Sequence, residues 1–293
     1  MCGEVLCHGQ DRTSLNSQYI FNGLVLNPAF AGRNEVLALT FSHRRQWMGF
    51  EGAPKTFAVS LHAPLENKKI ALGLLIQNED IGARSYSEVF YNYAYRVILG
   101  NGKLSMGLKG GVAFGKFGPI DLGNGEFFFG DKQDNFILPN FGVGIYYYSA
   151  NYFAGISVPL ILGYEDGGPD AGIRVYHEFG KYNYYITAGY TYPINNNFKI
   201  QPSFLLNYEK SYSITPDINM NVIYHDFLMG GLSYRPNEAL IFLANYKIGY
   251  QTRIGFSYDF GLGQLSTYHH GSLEITIQYI LGYKIKASNP GNF

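Results

Sequence analysis

The sequence predicts an all-β protein, an antiparallel outer-membrane β-barrel of about fourteen strands with an N-terminal segment packed in or under it. Three observations carry this. Read in twos from Ser272, the chain places Leu273, Ile275, Ile277, Tyr279, Leu281, Tyr283 and Ile285 on one face. Glu274, Thr276, Gln278, Gly282, Lys284 and Lys286 fall on the other, and only Ile280 breaks the alternation. A soluble strand runs about five to six residues, whereas this pattern is long enough for the roughly 9 to 11 residues of a tilted strand that crosses a bilayer. The composition agrees: 26 Tyr, 22 Phe and 36 Gly among 293 residues, with only 15% charged, against roughly 25% charged in an average soluble domain. No stretch reaches the roughly 18 to 20 consecutive apolar residues of a membrane helix; the runs at Leu160–Leu162 and Leu205–Leu206 are far shorter. Apolar side chains that face outward all round a closed sheet must meet lipid, so closure and the membrane follow together.

The chain divides into three parts: residues 1–10, a residual or mis-started signal; 11–34, an N-terminal lumenal or periplasmic segment; and 35–293, the transmembrane barrel. Met1–Gln10 lacks a basic start and a full apolar run, yet Val5–Gln10 resembles the tail of an export signal. A lipid-modified Cys2 or Cys7 is the alternative, with no proper apolar run ahead of either. Both cysteines precede the first element, so they cannot staple the fold. The balance of 22 basic and 22 acidic residues gives no electrostatic case for nucleic acid.

Strands are expected, in order, over Glu35–Trp47, Lys55–Ala63, Ile70–Ile76, Glu88–Val97 and, after the hairpin signal Gly100-Asn101-Gly102, Leu104–Phe114. Gly118–Pro139 reads as a long surface loop. Strands resume over Phe141–Tyr147 and Tyr152–Val158. Pro159–Lys181 is a second long excursion in which Ile173–Phe179 is a short strand or helix. Tyr184–Tyr192, Ile200–Tyr208, Ile218–Tyr224, Leu228–Tyr234, Leu240–Ile248, Ile254–Phe260 and the final strand complete the set. An even number returns both barrel termini to the periplasmic side. Glycines collect on the polar face, at Gly73, Gly107, Gly111, Gly142, Gly144, Gly155, Gly189 and Gly255. They serve barrel curvature or make room for a lumenal segment. Register predicts that Ile277→Arg impairs assembly and that Gln278→Arg is tolerated.

Two blocks hold the candidate partner-binding or lumenal residues. The stretch Ser17–Gly32 is too apolar to float free, and Asn27-Pro28 favours a turn within it; its candidates are Gln18, Tyr19, Phe21, Asn22, Asn27 and Pro28. The second block supplies Arg44, Arg45, Trp47, Phe50 and Pro54. Alternation sends Arg44 inward with Thr40 and Ser42 and Arg45 to the other face. Two readings stand: a lumenal ion-pair ladder with Glu51 or Asp259 plus a belt aromatic, or a periplasmic docking patch.

These blocks resemble the type IX secretion system membrane protein family of the Bacteroidota, PorP/SprF. The resemblance rests on Gln18–Asn22, on Asn-Pro-Ala-aromatic-Ala-Gly at Asn27–Gly32, on Arg-Gln-Trp-x-Gly-Phe-x-Gly-Ala-Pro-x-Thr at Arg45–Thr56, and on the hairpin Gly102–Gly111. Further blocks are Gly230–Arg235, Gly255–Asp259 and Gly271–Ile275, with a departure at Leu273, where a polar residue is expected. The resemblance implies a non-enzymatic outer-membrane barrel that assists delivery or surface attachment of exported proteins such as gliding adhesins. Its implied partners are outer-membrane lipid, periplasmic type IX secretion components and a peptidoglycan-associated lipoprotein. The alternative function is a diffusion channel for small or apolar solutes.

Chemistry beyond binding finds little support. Neither a Gly-x-Ser-x-Gly elbow, a phosphate-binding loop nor zinc spacing occurs. His269 and His270 would point to opposite faces of a strand. The acidic loop Glu165–Asp170 offers oxygens of the kind calcium takes, or is simply a solvated loop. No cofactor, no metal and no catalytic residue is expected.

Overall fold

The computed structural model describes residues 16–117, 120–121, 127–128, 134–166, 173–209 and 213–281. Fourteen strands form the wall: β1 (Leu37–Arg45), β2 (Lys55–Pro64), β3 (Ile70–Ile81), β4 (Arg84–Leu99), β5 (Gly102–Phe117), β6 (Asp134–Tyr148) and β7 (Tyr152–Val158), then β8 (Tyr184–Tyr190), β9 (Phe198–Glu209), β10 (Ser213–Tyr224), β11 (Leu228–Arg235), β12 (Ala239–Ile248), β13 (Thr252–Gly261) and β14 (Ser272–Leu281). Each pairs antiparallel with its chain neighbour. The sheet closes where β1 meets β14, from Leu37↔Leu281 to Arg45↔Leu273. Closure removes every sheet edge that lipid could not satisfy.

The pleat sorts the side chains. On β14 the inward positions are Ser272, Glu274, Thr276, Gln278 and Ile280, while Ile275, Ile277 and Leu281 are exposed. Ile280 therefore keeps the register and buries an apolar side chain inside. Around the wall, Phe41, Leu108, Phe141, Ile218 and Phe242 face out, whereas Asn92, Gln201, Asn221 and Ser257 are buried. This inverts the soluble rule, in which buried polar groups are the exception, and it is the pattern of a barrel in lipid.

The wall is uneven. Strands β4 and β5 each have 16 residues, whereas β7 and β8 each have 7. Beyond Ile76 and Val89, the lipid-side positions of β3 and β4 become Asn78, Asp80, Ser85 and Ser87, so this hairpin stands clear of the apolar band. The loop expected over Gly118–Pro139 is shorter than predicted, because β6 already pairs with β5 from Phe117↔Asp134. Pro139 is tolerated there because β7 stops opposite Val143 and leaves that stretch of β6 at an edge. The expected strand or helix at Ile173–Phe179 is a short strand, Ile173–Tyr176, paired with Gly163–Asp166 and followed by a 3₁₀ turn at Phe179–Lys181.

Alternation of direction assigns the ends. The connections 65–69, 100–101, 149–151, 225–227 and 249–251 lie at the end where β1 starts and β14 finishes, and the longer 46–54, 118–133, 159–183 and 262–271 lie at the other. Outer-membrane barrels turn their short connections to the periplasm and their long ones outward.

Candidate functional site

Residues 16–34 contact residues of β1, β2, β6, β7, β10, β13 and β14. Their own sequence sets the path. Hydrogen bonds from Phe21 N–H to Gln18 O (3.0 Å) and from Asn27 N–H to Gly23 O (2.9 Å) make successive tight turns. Asn27 then caps a 3₁₀ turn, Pro28–Phe30, its side chain accepting from Ala29 N–H at 2.9 Å. Asparagine is a preferred cap, and proline fits the first position because the N–H it lacks has no partner there anyway. The result is a compact strip in which Gln18, Tyr19, Phe21, Asn22, Asn27, Pro28 and Phe30 are all buried.

At the long-connection end the strip is held by charge. Ser17 N–H donates to Glu274 Oε2 at 2.7 Å, and Ser17 Oγ donates to the Asp259 carboxylate at 3.0 Å. Arg44 Nη1 donates to Ser17 Oγ at 2.9 Å, and Nη2 to Asp259 Oδ2 at 2.6 Å. Arg44, Asp259 and Glu274 have side chains at most 4% exposed. Further along, Tyr19 Oη accepts from Asn219 Nδ2 at 2.7 Å. Asn219 also donates to Asp217, which is ion-paired with Arg235 at 2.6 Å. Gln278 Nε2 donates to Phe21 O (3.2 Å) and to Thr40 Oγ1 (3.1 Å). Arg253 lies 4.8 Å over the Phe21 ring, and Ser60 Oγ donates to Asn22 Oδ1 at 2.7 Å.

At the short-turn end ring packing and close approach dominate the hold, beside hydrogen bonds from Arg96 Nη1 to Gly32 O at 2.7 Å and from Gly32 N–H to His62 Nδ1 at 3.1 Å. Phe30 meets His62 and Tyr146 edge-on, each at 5.7 Å, and Arg33 sits 5.1 Å over the Phe30 ring and 5.3 Å over Phe153. Leu24, Ala29, Ala31, Ala71 and Ala94 complete this cluster. Asn27 Nδ2 donates to Ile145 O at 3.1 Å, and Ser157 Oγ donates to Leu26 O at 2.8 Å. Two inward glycines make the approach possible: a Cβ on Gly107 would lie 2.1 Å from Ala29 N, and one on Gly144 2.1 Å from Asn27 Oδ1. The inward glycines thus divide, since a Cβ on Gly111 or Gly189 would meet the wall residues Phe90 or Phe153 instead. The strip joins β1 through Glu35, which accepts from Tyr148 Oη (2.9 Å) and pairs with Lys103 (2.7 Å) and Arg96 (3.1 Å). A cavity of about 30 Å³ between strip and wall, beside Tyr19, Leu26, Phe30, Tyr146, Phe153 and Leu205, has room for about one water.

The second block of candidates lies elsewhere. Arg45 faces outward and Pro54 is buried, while Phe50 is exposed. Trp47 lies beyond the end of β1, in a turn with φ +46°. Its N–H donates to Ser272 Oγ at 3.2 Å, and its ring lies 6.2 Å from His269. Met48 N–H donates to Gly271 O and accepts through its own carbonyl from His270 N–H, at 2.8 and 2.7 Å. Gly82 N–H donates to Gly52 O at 2.8 Å. The loop 46–54 is therefore zipped on one side to 270–272 and on the other to the turn after β3. Burial, together with the neighbouring His270, pushes the His269 imidazole below its usual range.

The geometry bears on three sequence expectations. Loop 46–54, where the docking-patch residues lie, sits at the long-connection end, opposite the start of β1. Of the two acidic partners expected for Arg44, Asp259 does pair with it, joined by Glu274, whereas Glu51 is exposed on the loop. Gln278 is 1% exposed, bonded to the strip, and its Oε1 lies 3.2 Å from Arg253 Nη1, so Gln278→Arg would set a second guanidinium against Arg253, a cost that strand register alone does not show. Sequence reasoning also passed over Glu274, Gln278, His62 and Arg96 as holders of the strip. Their signal was present, as polar residues at inward register on otherwise apolar strands. Among the described residues no group of three or more His, Cys, Asp or Glu could hold a metal; residues 167–170 of the acidic loop lie outside the described residues.

The sequence matches, over residues 9–279, the family described as type IX secretion system membrane protein PorP/SprF. No curated protein matches it. Among solved structures, the KdgM porin aligns with a TM-score of 0.40 and 10% identity, covering 84% of this chain and 99% of that one. Omp33 of Acinetobacter baumannii aligns at 0.47 and 6%, covering 84% and 99%. The toluene transporter TodX of Pseudomonas putida aligns at 0.47 and 10%, covering 91% and 93%.

Proposed function

The chain belongs to the PorP/SprF family of type IX secretion system membrane proteins, and from that premise we propose that it is an accessory barrel whose lumen is filled by its own N-terminal strip. It is an outer-membrane component of the secretion machinery. Its finer role is to help deliver or retain exported proteins, gliding adhesins among them, at the cell surface. The short-turn end faces periplasmic secretion components and a peptidoglycan-associated lipoprotein, and the zipped loop 46–54, with Phe50 exposed, faces the exported protein. It performs no catalysis.

The observation that carries this reading is the burial of residues 16–34, whose contacts are with residues of the barrel wall. A diffusion channel needs a continuous path for solute, and a polypeptide crossing the membrane needs a wider one. A lumen occupied from Ser17 to Glu35 suits neither, which favours a role at the two mouths. Planar-bilayer recording on the purified protein, paired with a deletion strain, tests this. Silence in the bilayer and loss of surface display on deletion are expected. Large, steady currents from the intact protein would instead make it a channel.

A further inference from the structure

We propose that the barrel closes around its N-terminal strip, so that residues 17–22 dock first and the β1–β14 seam forms over them. This concerns assembly and stands whether or not the secretion role above is right.

Three features point to it. The seam register sets Arg44 opposite Glu274 and Thr40 opposite Gln278. Cross-strand pairs of this kind specify which residues face each other. Both pairs are completed by the strip. Ser17 bonds Arg44 and Glu274 together with Asp259, and Phe21 O takes a hydrogen bond from the same Gln278 that donates to Thr40. Without Ser17, one buried guanidinium would face two carboxylates with two donors missing, and a buried charge lacking its partners is strongly disfavoured.

The second feature is where the polar contacts fall. Among the described residues, Ser17, Gln18, Phe21 and Asn22 bond to β13, β14, β1 and β2, the seam and its two flanks, while Tyr19 accepts from Asn219 on β10. The strip thus bridges the two chain ends that must find each other last in sequence terms.

The third is steric. The strip runs from the level of Arg44 to that of Leu37, about 23 Å along β1 at 3.3 Å per residue. Entering a finished barrel from the short-turn end would require Tyr19 and Phe21 to pass the inward Arg96, which pairs with Glu35 at that mouth. Laying an open sheet over the strip needs no such passage.

The test uses the full chain with Cys2 and Cys7 replaced by serine. One variant carries Phe41→Cys and Ile277→Cys, which face each other across the seam. Another carries Phe204→Cys and Ile218→Cys on β9 and β10. Directly opposed strand positions lie within disulfide reach. During membrane assembly, an apolar copper–phenanthroline oxidant reports each closure, and protease protection reports docking of residues 17–34. Protection should precede or accompany the seam cross-link. Ser17→Asp should cut the seam cross-link about tenfold and leave the β9–β10 pair unchanged, while Ser17→Thr restores it. Seam closure ahead of protection, an unaffected seam in Ser17→Asp, or an equal loss at both pairs would overturn the proposal.

Discussion

The two ends of the N-terminal strip are held by different physics. Around Ser17 the hold is a handful of charged and hydrogen-bonding atoms from β1, β13 and β14. Around Phe30 it is a set of rings and close backbone contacts against β2, β5 and β6. A charged hold concentrates its cost in single atoms, because losing one partner leaves the rest buried and uncompensated. A shape hold spreads it over many dispersion contacts, each small. The first can specify which strands meet, and the second can only require that the space be filled. It is consistent that the charged end lies under the seam and the apolar end against unbroken wall.

That contrast can be broken at either end. Arg44→Ala leaves Asp259 and Glu274 buried without their cation, which should destabilise the barrel by about 3–5 kcal/mol, read as a lower midpoint of heat-modifiable unfolding in detergent. A loss below that of the apolar-end variants would show that the charged hold is ornamental. At the other end, Gly107→Val drives a side chain into Ala29, an overpacking change that costs about 1–3 kcal/mol. It should raise protease cleavage within residues 24–34 while the seam stays closed. The smallest effect belongs to Asn27→Ala, which removes the cap on Pro28–Phe30 and should cost about 1 kcal/mol, measured by the same unfolding transition. If that loss equalled that of Arg44→Ala, the two ends would have to be treated as one cooperative unit.

The uneven wall offers a second contrast. On β3 and β4 the change from Ile76 and Val89 to Asn78, Asp80, Ser85 and Ser87 marks where lipid ends. That boundary was readable from the chain, because an outward residue in water has no reason to be apolar. The height of β6 was not, since Asp134–Leu138 lack a clean alternation and are ordered by pairing with β5 rather than by their own pattern. Likewise Trp47 continues the alternation of β1 on paper, but the zip to Gly271 takes it out of the strand.

What the sequence determined by itself was the strand count, the face of most residues on the regularly alternating strands and the membrane, because successive side chains on a strand point to opposite sides by covalent geometry and lipid or lumen then selects their polarity. It also marked residues 17–32 as needing a buried surface. What only the tertiary structure decided was which inward groups meet. Ser17 and Glu274 are 257 positions apart, and no local rule relates them. They touch because the last strand returns to the first, and the register of that one closure places Arg44, Glu274 and Asp259 around the same hydroxyl.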